Sequence, residues 1–514
     1  MDSLLSLRRS ALIYGLCLPL AILLGYVLAR PGNFTSLAVI ALTLGIMSLP
    51  LLMRWHHQLL ILSWNASLIV PFLPGQPSLW MCLSFISLSF ALLLRIMTKK
   101  GEFLSAPAVT FWICFILVVT LVTAKFTGGI GARAIGSAAY GGKRYLYVFC
   151  AVVGYFAIIS TRIRPNQAAF LVVGFFLSAI TSAVSNLAYA LGPKFYFLYY
   201  LFPSALAHTQ AVGENFSLER YAGIAFAAES AVVALVARYG LRGVFDLTRP
   251  WRLFLFCALV AASLFGGFRS LLIVLLLLFA FQFYFEGLST LRNTAIVTGS
   301  LVLLLAASIA FSTKFPAAVQ RALCFLPIPV EETVRVDAVG TAEWRWVMWK
   351  VLLPNIPKYL WLGKGFTYDG TDYYLTQEAM RRGYFAAYES TLIDGNYHNG
   401  ILTVIIPFGV WGMIGLFGFV VAALRVLYLN YRNGDPSLKT LNTLLISWFL
   451  ARLCMYLTIY GAFDLDLPFF VAAVGLSLSL NGGIRPKHPA LMEEAAQAVP
   501  KEVSSSANDD ASHT

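Results

Sequence analysis

Charge is what this chain has least of. Only 12% of its 514 residues are charged, 37 Lys and Arg against 24 Asp and Glu, where an ordinary soluble domain carries roughly 25%. That scarcity excludes a soluble globular protein, because 59% hydrophobic residues bring more apolar surface than one core of this length hides from water. Cysteine is thin as well. The seven cysteines show no CxxC spacing, and all except Cys324 lie in apolar runs, where they behave as small hydrophobes. A disulfide scaffold is therefore excluded, and with no HExxH sequence zinc and iron sites lack support. The glycines have no period of three, which excludes a collagen-like chain. No repeat of roughly twenty to fifty residues marks a solenoid or an array.

What is present is apolar sequence in long runs, with a mean hydropathy of +0.76. The solvent for most of this chain is lipid, and in lipid an all-α fold satisfies every backbone group within its own helix. A hydrocarbon core of roughly 30 Å takes about twenty apolar residues per helix, which gives about twelve to fourteen spans. Expected spans cover 11–28, 36–53, 59–73, 80–97, 107–124, 144–159, 167–191, 222–239, 253–266, 269–285 and 294–311, then 400–424, 441–460 and 467–480. The expected organisation is an N-terminal membrane region over 1–311 with about eleven spans, a large loop over 312–398 carrying short surface helices, C-terminal membrane helices over 399–484, and a polar, disordered tail over 485–514. The first run has basic residues ahead of it but no convincing small-residue cleavage site, and it reads as an anchor rather than a signal peptide.

The net charge of +13 would suggest nucleic acid in a soluble protein. Here the basic residues sit between apolar runs, so they read as topology signals and contacts with membrane lipids, with no nucleic acid as partner. With the N-terminus in the cytoplasm, Arg8, Arg9, Arg54, Arg95, Lys99, Lys100, Arg162, Arg164, Arg242, Arg249, Arg252, Arg292, Arg425, Arg432 and Lys439 fall inside, the tail is cytoplasmic, and the 312–398 loop faces out. Lys125, Arg133, Lys143 and Arg144 oppose this pattern. Either a span is miscounted there, or those charges attract an anionic carrier, or they only flank the glycine-rich loop that begins at Gly128.

Of six histidines, His56 and His57 fall on the inner side and His488 and His513 in the tail, which leaves His208 and His398 facing out. His398 closes the large loop just before the next span. An imidazole that titrates near neutral pH beside lipid headgroups suits general-base work on a substrate carried by a lipid; the alternative is an interfacial histidine with no task.

His398-Asn399, followed by Gly409-Val410-Trp411-Gly412, resembles the signature of the O-antigen ligase and O-antigen polymerase superfamily of polytopic membrane glycan transferases, at the spacing and in the place that family requires. The glycines, about one turn apart, are expected to let another helix approach and so hold His398 in register. Gly266-Gly267-Phe268-Arg269-Ser270 resembles the family's small-residue-Arg step, Arg220-Tyr221-Ala222-Gly223 its Arg-x-x-Gly, and Arg345 with Leu362-Gly363-Lys364-Gly365-Phe366 its helix arginine and Gly-x-Gly turn. The resemblance covers 220–412. It departs after Gly223, where Ala227-Ala228-Glu229 replaces the Asn-Pro-Asn-like run frequent in the family.

The resemblance implies transfer of a glycan from an undecaprenyl-diphosphate carrier to an acceptor hydroxyl at the periplasmic face of a bacterial inner membrane, with neither metal nor other cofactor. The acceptor is a lipid A-core for a ligase or a growing polysaccharide for a polymerase. By this resemblance Arg220, Arg269 and Arg345 bind the donor diphosphate, His398 takes the acceptor's proton, and Asn399, Gly409 and Gly412 support it. Guanidinium suits the role because it stays charged and forks two donors onto phosphate oxygens.

Other readings stay open on the residues alone. Arg220 and Arg269 are either ligands or snorkelling helix ends, Arg345 is either a ligand or an interfacial anchor, and Trp344, Trp346 and Trp349 beside it read as a membrane-surface belt. Asp394 either orients the His398 ring or is a solvated loop carboxylate, and Asp369-Gly370-Thr371-Asp372 reads as a polar turn rather than a cation loop. Glu229 and Arg452, charged within apolar runs, either serve function or pair with each other. A secondary transporter or flippase is the reading from another class, which predicts internal repeats and ionisable groups near the bilayer midplane.

Overall fold

The structure, a computed structural model, describes residues 34–98, 103–131, 139–207, 209–213, 216–386 and 388–485, with scattered positions between 14 and 25. The expected span at 11–28 is only partly among them, and Arg133, His208 and the tail from 486 lie outside the described residues. Nine of the described helices are long and apolar enough to cross a membrane: Leu79–Met97, Pro107–Phe126, Gly142–Ile159, Pro165–Leu191, Ala222–Val244, Leu291–Lys314, Leu402–Asn433, Pro436–Thr458 and Phe463–Asn481. Two shorter apolar helices, Trp251–Gly266 and Arg269–Phe285, accompany them. The protein is an all-α polytopic membrane protein.

One expected pair of spans is a single element. A continuous helix runs Phe34–Ser63, and the apolar stretch after it turns back through Pro71, Pro74, Gly75 and Pro77, with an isolated bridge between Ile69 and Ser78. Hydropathy alone made 59–73 a span, but prolines and a left-handed Gly75 (φ 77°) cannot continue a helix. His56 and His57 lie inside that helix, buried, with His56 Nδ1 2.9 Å from Ser87 Oγ and His57 Nε2 2.8 Å from the Ile158 carbonyl.

Small residues let the helices close on one another, as membrane helix packing requires. Gly475 admits Ile158, bringing Phe463–Asn481 against Gly142–Ile159. Gly418 lies under the Trp112 ring, which joins Leu402–Asn433 to Pro107–Phe126.

One of these long helices is interrupted. Leu402–Asn433 contains Pro407, and Gly409 has non-helical φ 62° and ψ −158°. Proline contributes no N–H and the left-handed glycine turns the chain, so carbonyls beside the break are left without helical partners. The loop before the helix fills the gap. Lys364 N–H donates to the Ile406 carbonyl and Gly365 N–H to the Pro407 carbonyl, both at 2.9 Å, and Val410 N–H donates to the Leu360 carbonyl at 2.7 Å. The same loop is tied to other helices. Phe366 N–H donates to the Tyr145 hydroxyl at 2.9 Å, and Thr367 Oγ1 donates to the Gly129 carbonyl at 2.7 Å. A short antiparallel pairing sets Tyr140 opposite Tyr368.

Between Ser312 and His398 lie the helices Ala317–Leu323, Glu332–Leu352, Ile356–Tyr359, Gly370–Arg381 and Glu389–Asp394. The N-terminal ends of Gly142–Ile159, Ala222–Val244, Arg269–Phe285, Leu402–Asn433 and Phe463–Asn481 gather at the same end of the bundle as this segment.

Candidate active site

The helix Glu332–Leu352 is a strap that meets Arg220, Arg269 and His398 and itself carries Arg345. Asp337, Thr341, Trp344, Arg345 and Met348 recur at three- and four-residue steps, which places them on one face. From Asp337 to Trp349 this face extends about 18 Å.

At one end of the strap Asp337 Oδ2 accepts from Arg321 Nε at 2.5 Å and from Arg220 Nη2 at 3.4 Å. Arg269 Nη2 donates to the Ala338 carbonyl at 3.0 Å. Arg321 also donates to the Gly267 carbonyl at 2.6 Å and to Thr341 Oγ1 at 3.2 Å. Gly267 is left-handed (φ 65°) and ends the 3-10 turn Leu264–Gly266, so the chain can swing from there into the helix that Arg269 begins. Two turns along the strap, Arg345 lies within electrostatic reach of Arg269, Arg321 and Tyr460. The structure therefore brings Arg220, Arg269 and Arg345 together, and adds Arg321 and Asp337.

Four guanidinium groups cluster along this strap, and one carboxylate, Asp337, pairs with two of them. Burial and the neighbouring Arg321 hold Arg220 down to about 10 although Asp337 opposes them, with Arg269 adding to the fall. Burial, then Arg269, lowers Arg345 as well. Arg220 Nε and Arg345 Nε are buried without a hydrogen-bond partner. Unpaired buried donors in a cationic cluster have the chemistry to hold an anion.

His398 lies at the other end. Its ring meets Trp344 edge-on at 5.3 Å and 87°, and Tyr460 at 5.1 Å. Burial, then the charge of Arg345, lowers its pKa from 6.5 to about 4. The imidazole is thus neutral at physiological pH, and its Nδ1 is buried without a partner. The backbone is strained, since His398 has φ 51°, a left-handed conformation that costs a non-glycine residue about 1–2 kcal/mol.

Neighbouring residues hold it there. Asn399 Oδ1 accepts the N–H groups of Ile401 (3.0 Å) and Leu402 (3.1 Å), a cap on the helix that follows. Gly400 N–H donates to the Tyr456 carbonyl at 3.1 Å and the Tyr456 hydroxyl donates to the Gly400 carbonyl at 2.8 Å. Trp349 Nε1 donates to the Tyr397 carbonyl at 2.8 Å. Two of the three expected belt tryptophans, Trp344 and Trp349, thus build the site, while Trp346 is 57% exposed.

Gly409 and Gly412 act differently from expectation. A Cβ on Gly409 would overlap the Leu360 carbonyl, and one on Gly412 would meet Phe408 and Val404 of its own helix. They shape the break that seats the 360–365 loop rather than a face for another helix. That loop brings Lys364 Nζ within 2.8 Å of the Leu392 carbonyl, at the C-terminal end of Glu389–Asp394, where a cation is favoured. Burial, then the charge of Arg144, lowers Lys364 to about 8.

Asp394 neither orients the ring nor sits in solvent. Its carboxylate accepts Asn396 N–H at 2.8 Å, and its carbonyl accepts from Arg144 Nη1 at 2.6 Å. Arg144 in turn pairs with buried Asp464 at 2.9 Å, so this basic residue, which opposes the charge pattern of the connections, anchors the segment leading to His398. Asp369 Oδ1 accepts Thr371 N–H at 2.6 Å and Asp372 N–H at 3.2 Å, capping Gly370–Arg381. Arg452 lies over Phe469 at 4.7 Å and within electrostatic reach of Glu229 and Asp466.

Residues 217–417 match the family model described as O-antigen ligase. That segment contains Arg220, Arg269, Arg321, Asp337, Arg345, His398 and both glycines of the break. No curated protein matches the chain.

Proposed function

We propose that this member of the O-antigen ligase superfamily is a ligase that transfers a glycan from undecaprenyl diphosphate to a hydroxyl of a lipid A-core acceptor, at the periplasmic face of a bacterial inner membrane. One observation carries the reading: the Glu332–Leu352 strap touches both the cluster of guanidinium groups and the neutral imidazole. The acceptor oxygen attacks the anomeric carbon, the bond from that carbon to the phosphate oxygen breaks, and the diphosphate leaves with the electron pair. His398 takes the acceptor's proton as the new bond forms. Arg220, Arg269 and Arg345 hold the donor and offset the charge that grows on the leaving group, each charge-assisted contact contributing roughly 1.5–3 kcal/mol. Because guanidinium groups supply the positive charge, the reaction is proposed to need no metal.

The test is transfer in vitro from a defined undecaprenyl-diphosphate glycan to lipid A-core. We expect His398→Ala to abolish transfer while expression and folding persist, and a chelator to leave the rate unchanged. Full activity in the variant, or loss with chelator that added metal restores, would overturn the mechanism. Cells lacking the protein are expected to accumulate long unattached chains. Accumulation of single repeats would instead favour a polymerase, which shares the donor and differs in the acceptor.

A further inference from the structure

Arg321 belongs to none of the motifs above, and its geometry differs from that of its neighbours. Each of its three nitrogens has a partner, Nε in Asp337 at 2.5 Å, Nη1 in the Gly267 carbonyl at 2.6 Å and Nη2 in Thr341 Oγ1 at 3.2 Å. Each of those partners leads to another arginine. Gly267 sets the turn into Arg269, Asp337 pairs with Arg220, and Thr341 lies one helical turn before Arg345. A planar fork whose donors reach the Gly267 turn on one side and two positions of the Glu332–Leu352 helix on the other fixes the relative positions of those two elements, which a flexible ammonium cannot do. Asp337 holds its two partners unequally. The bond to Arg321 is short, whereas that to Arg220 is 3.4 Å long, at the weak end of hydrogen bonding. Its side chain is also the most open of the three, 24% exposed against 5% for Arg321 and 11% for Arg220.

We infer that Arg321 is the positioning residue of the arginine cluster and that Asp337 is a resident counter-anion, which keeps Arg321 but gives up Arg220 to a diphosphate group. The inference rests on the donor reading above. A phosphate oxygen entering from the open side of Asp337 takes the Arg220 donors, and the carboxylate remains bound to Arg321. Asp337 therefore competes with the ligand, while Arg321 assists it without touching it. The two halves of one ion pair thus have opposite effects on anion binding, which an ion pair serving only the fold does not produce.

The experiment measures inhibition of the full-length protein in lipid nanodiscs by inorganic pyrophosphate, with undecaprenyl diphosphate as a second ligand to separate the headgroup from the lipid. Arg321→Lys, which keeps the charge and loses the fork, is expected to weaken pyrophosphate about tenfold or more. Asp337→Asn, which keeps an acceptor for Arg321 and removes the competing charge, is expected to tighten it severalfold, with the gain falling at high salt. Thr341→Val removes one arm only and should fall between wild type and Arg321→Lys. A weakened response in both Arg321→Lys and Asp337→Asn, or no change in Asp337→Asn, overturns the inference even if wild-type transfer still requires His398. Should wild type ignore both pyrophosphate and undecaprenyl diphosphate, the donor reading fails, and the inference with it. Unfolding temperatures of each variant identify loss of fold, and the tightening by Asp337→Asn cannot arise from such loss.

Discussion

Gly363 lies against the carbonyl of Pro407 so closely that a Cβ would overlap it. The glycine is left-handed (φ 81°), and the two N–H groups that come after it enter the break in Leu402–Asn433. Gly363→Ala combines backbone strain of about 1–2 kcal/mol with a steric overlap. We expect a lower unfolding temperature in detergent together with loss of transfer. Gly340→Ala is the matched control, since nothing lies within 4 Å of that position, and alanine in a helix gains roughly 0.5–1 kcal/mol over glycine.

His398 should set an acid limb for kcat/KM near 4, rather than at the 6.5 of a free imidazole. A bound diphosphate offsets the charge of Arg345, so the limb of kcat, which reports the substrate complex, should lie at higher pH than that of kcat/KM. The effect on stability has a definite sign. The folded chain binds fewer protons at this site than the unfolded chain between about 4 and 6.5, so the contribution is complete above 6.5 and is lost as pH falls through about 4. Proton-linked unfolding of wild type and His398→Asn would reveal it, and identical profiles would show the ring to be solvated.

Asp464 is buried and pairs with the partly buried Arg144, and removing one partner strands the other. Arg144→Met is expected to cost about 3–5 kcal/mol. Arg144→Met with Asp464→Asn should recover part of that loss, a coupling that a double-mutant cycle on thermal unfolding measures directly. Transfer should not recover in the pair, because the Asp394 carbonyl loses its donor in both variants.

Trp349→Phe removes a hydrogen bond to the Tyr397 carbonyl, a loss of about 0.5–1.5 kcal/mol. Because Tyr397 adjoins His398, the change should lower kcat more than it raises the KM of the donor. Trp346→Phe, on the exposed side of the same helix, should leave both constants as they were.

How much of the molecule could be read from the sequence depended on distance along the chain. Apolar runs located most spans because lipid demands about twenty such residues in succession. At 59–73 hydropathy points to a span, but Pro71, Pro74 and Pro77 turn the chain back instead. His398, Arg220, Arg269 and Arg345 carried local motifs, and three arginines from separate elements do converge. Arg321 and Asp337 had no motif, being sixteen positions apart on two helices of a polar stretch. Arg144 and Asp464 are 320 positions apart, and nothing local relates them. The glycines of the 409–412 pattern were recognised, but their spacing suggested a packing face where left-handed torsions at Gly409 make a break.

The left-handed backbone at His398 has a consequence for any experiment that replaces it. Glycine and, to a lesser degree, asparagine accept such torsions readily, so His398→Gly should relieve tension instead of adding a defect. A protein that folds at least as well as its parent yet transfers nothing would locate the deficit in the missing ring alone, because this corner carries a side chain the main chain would rather do without.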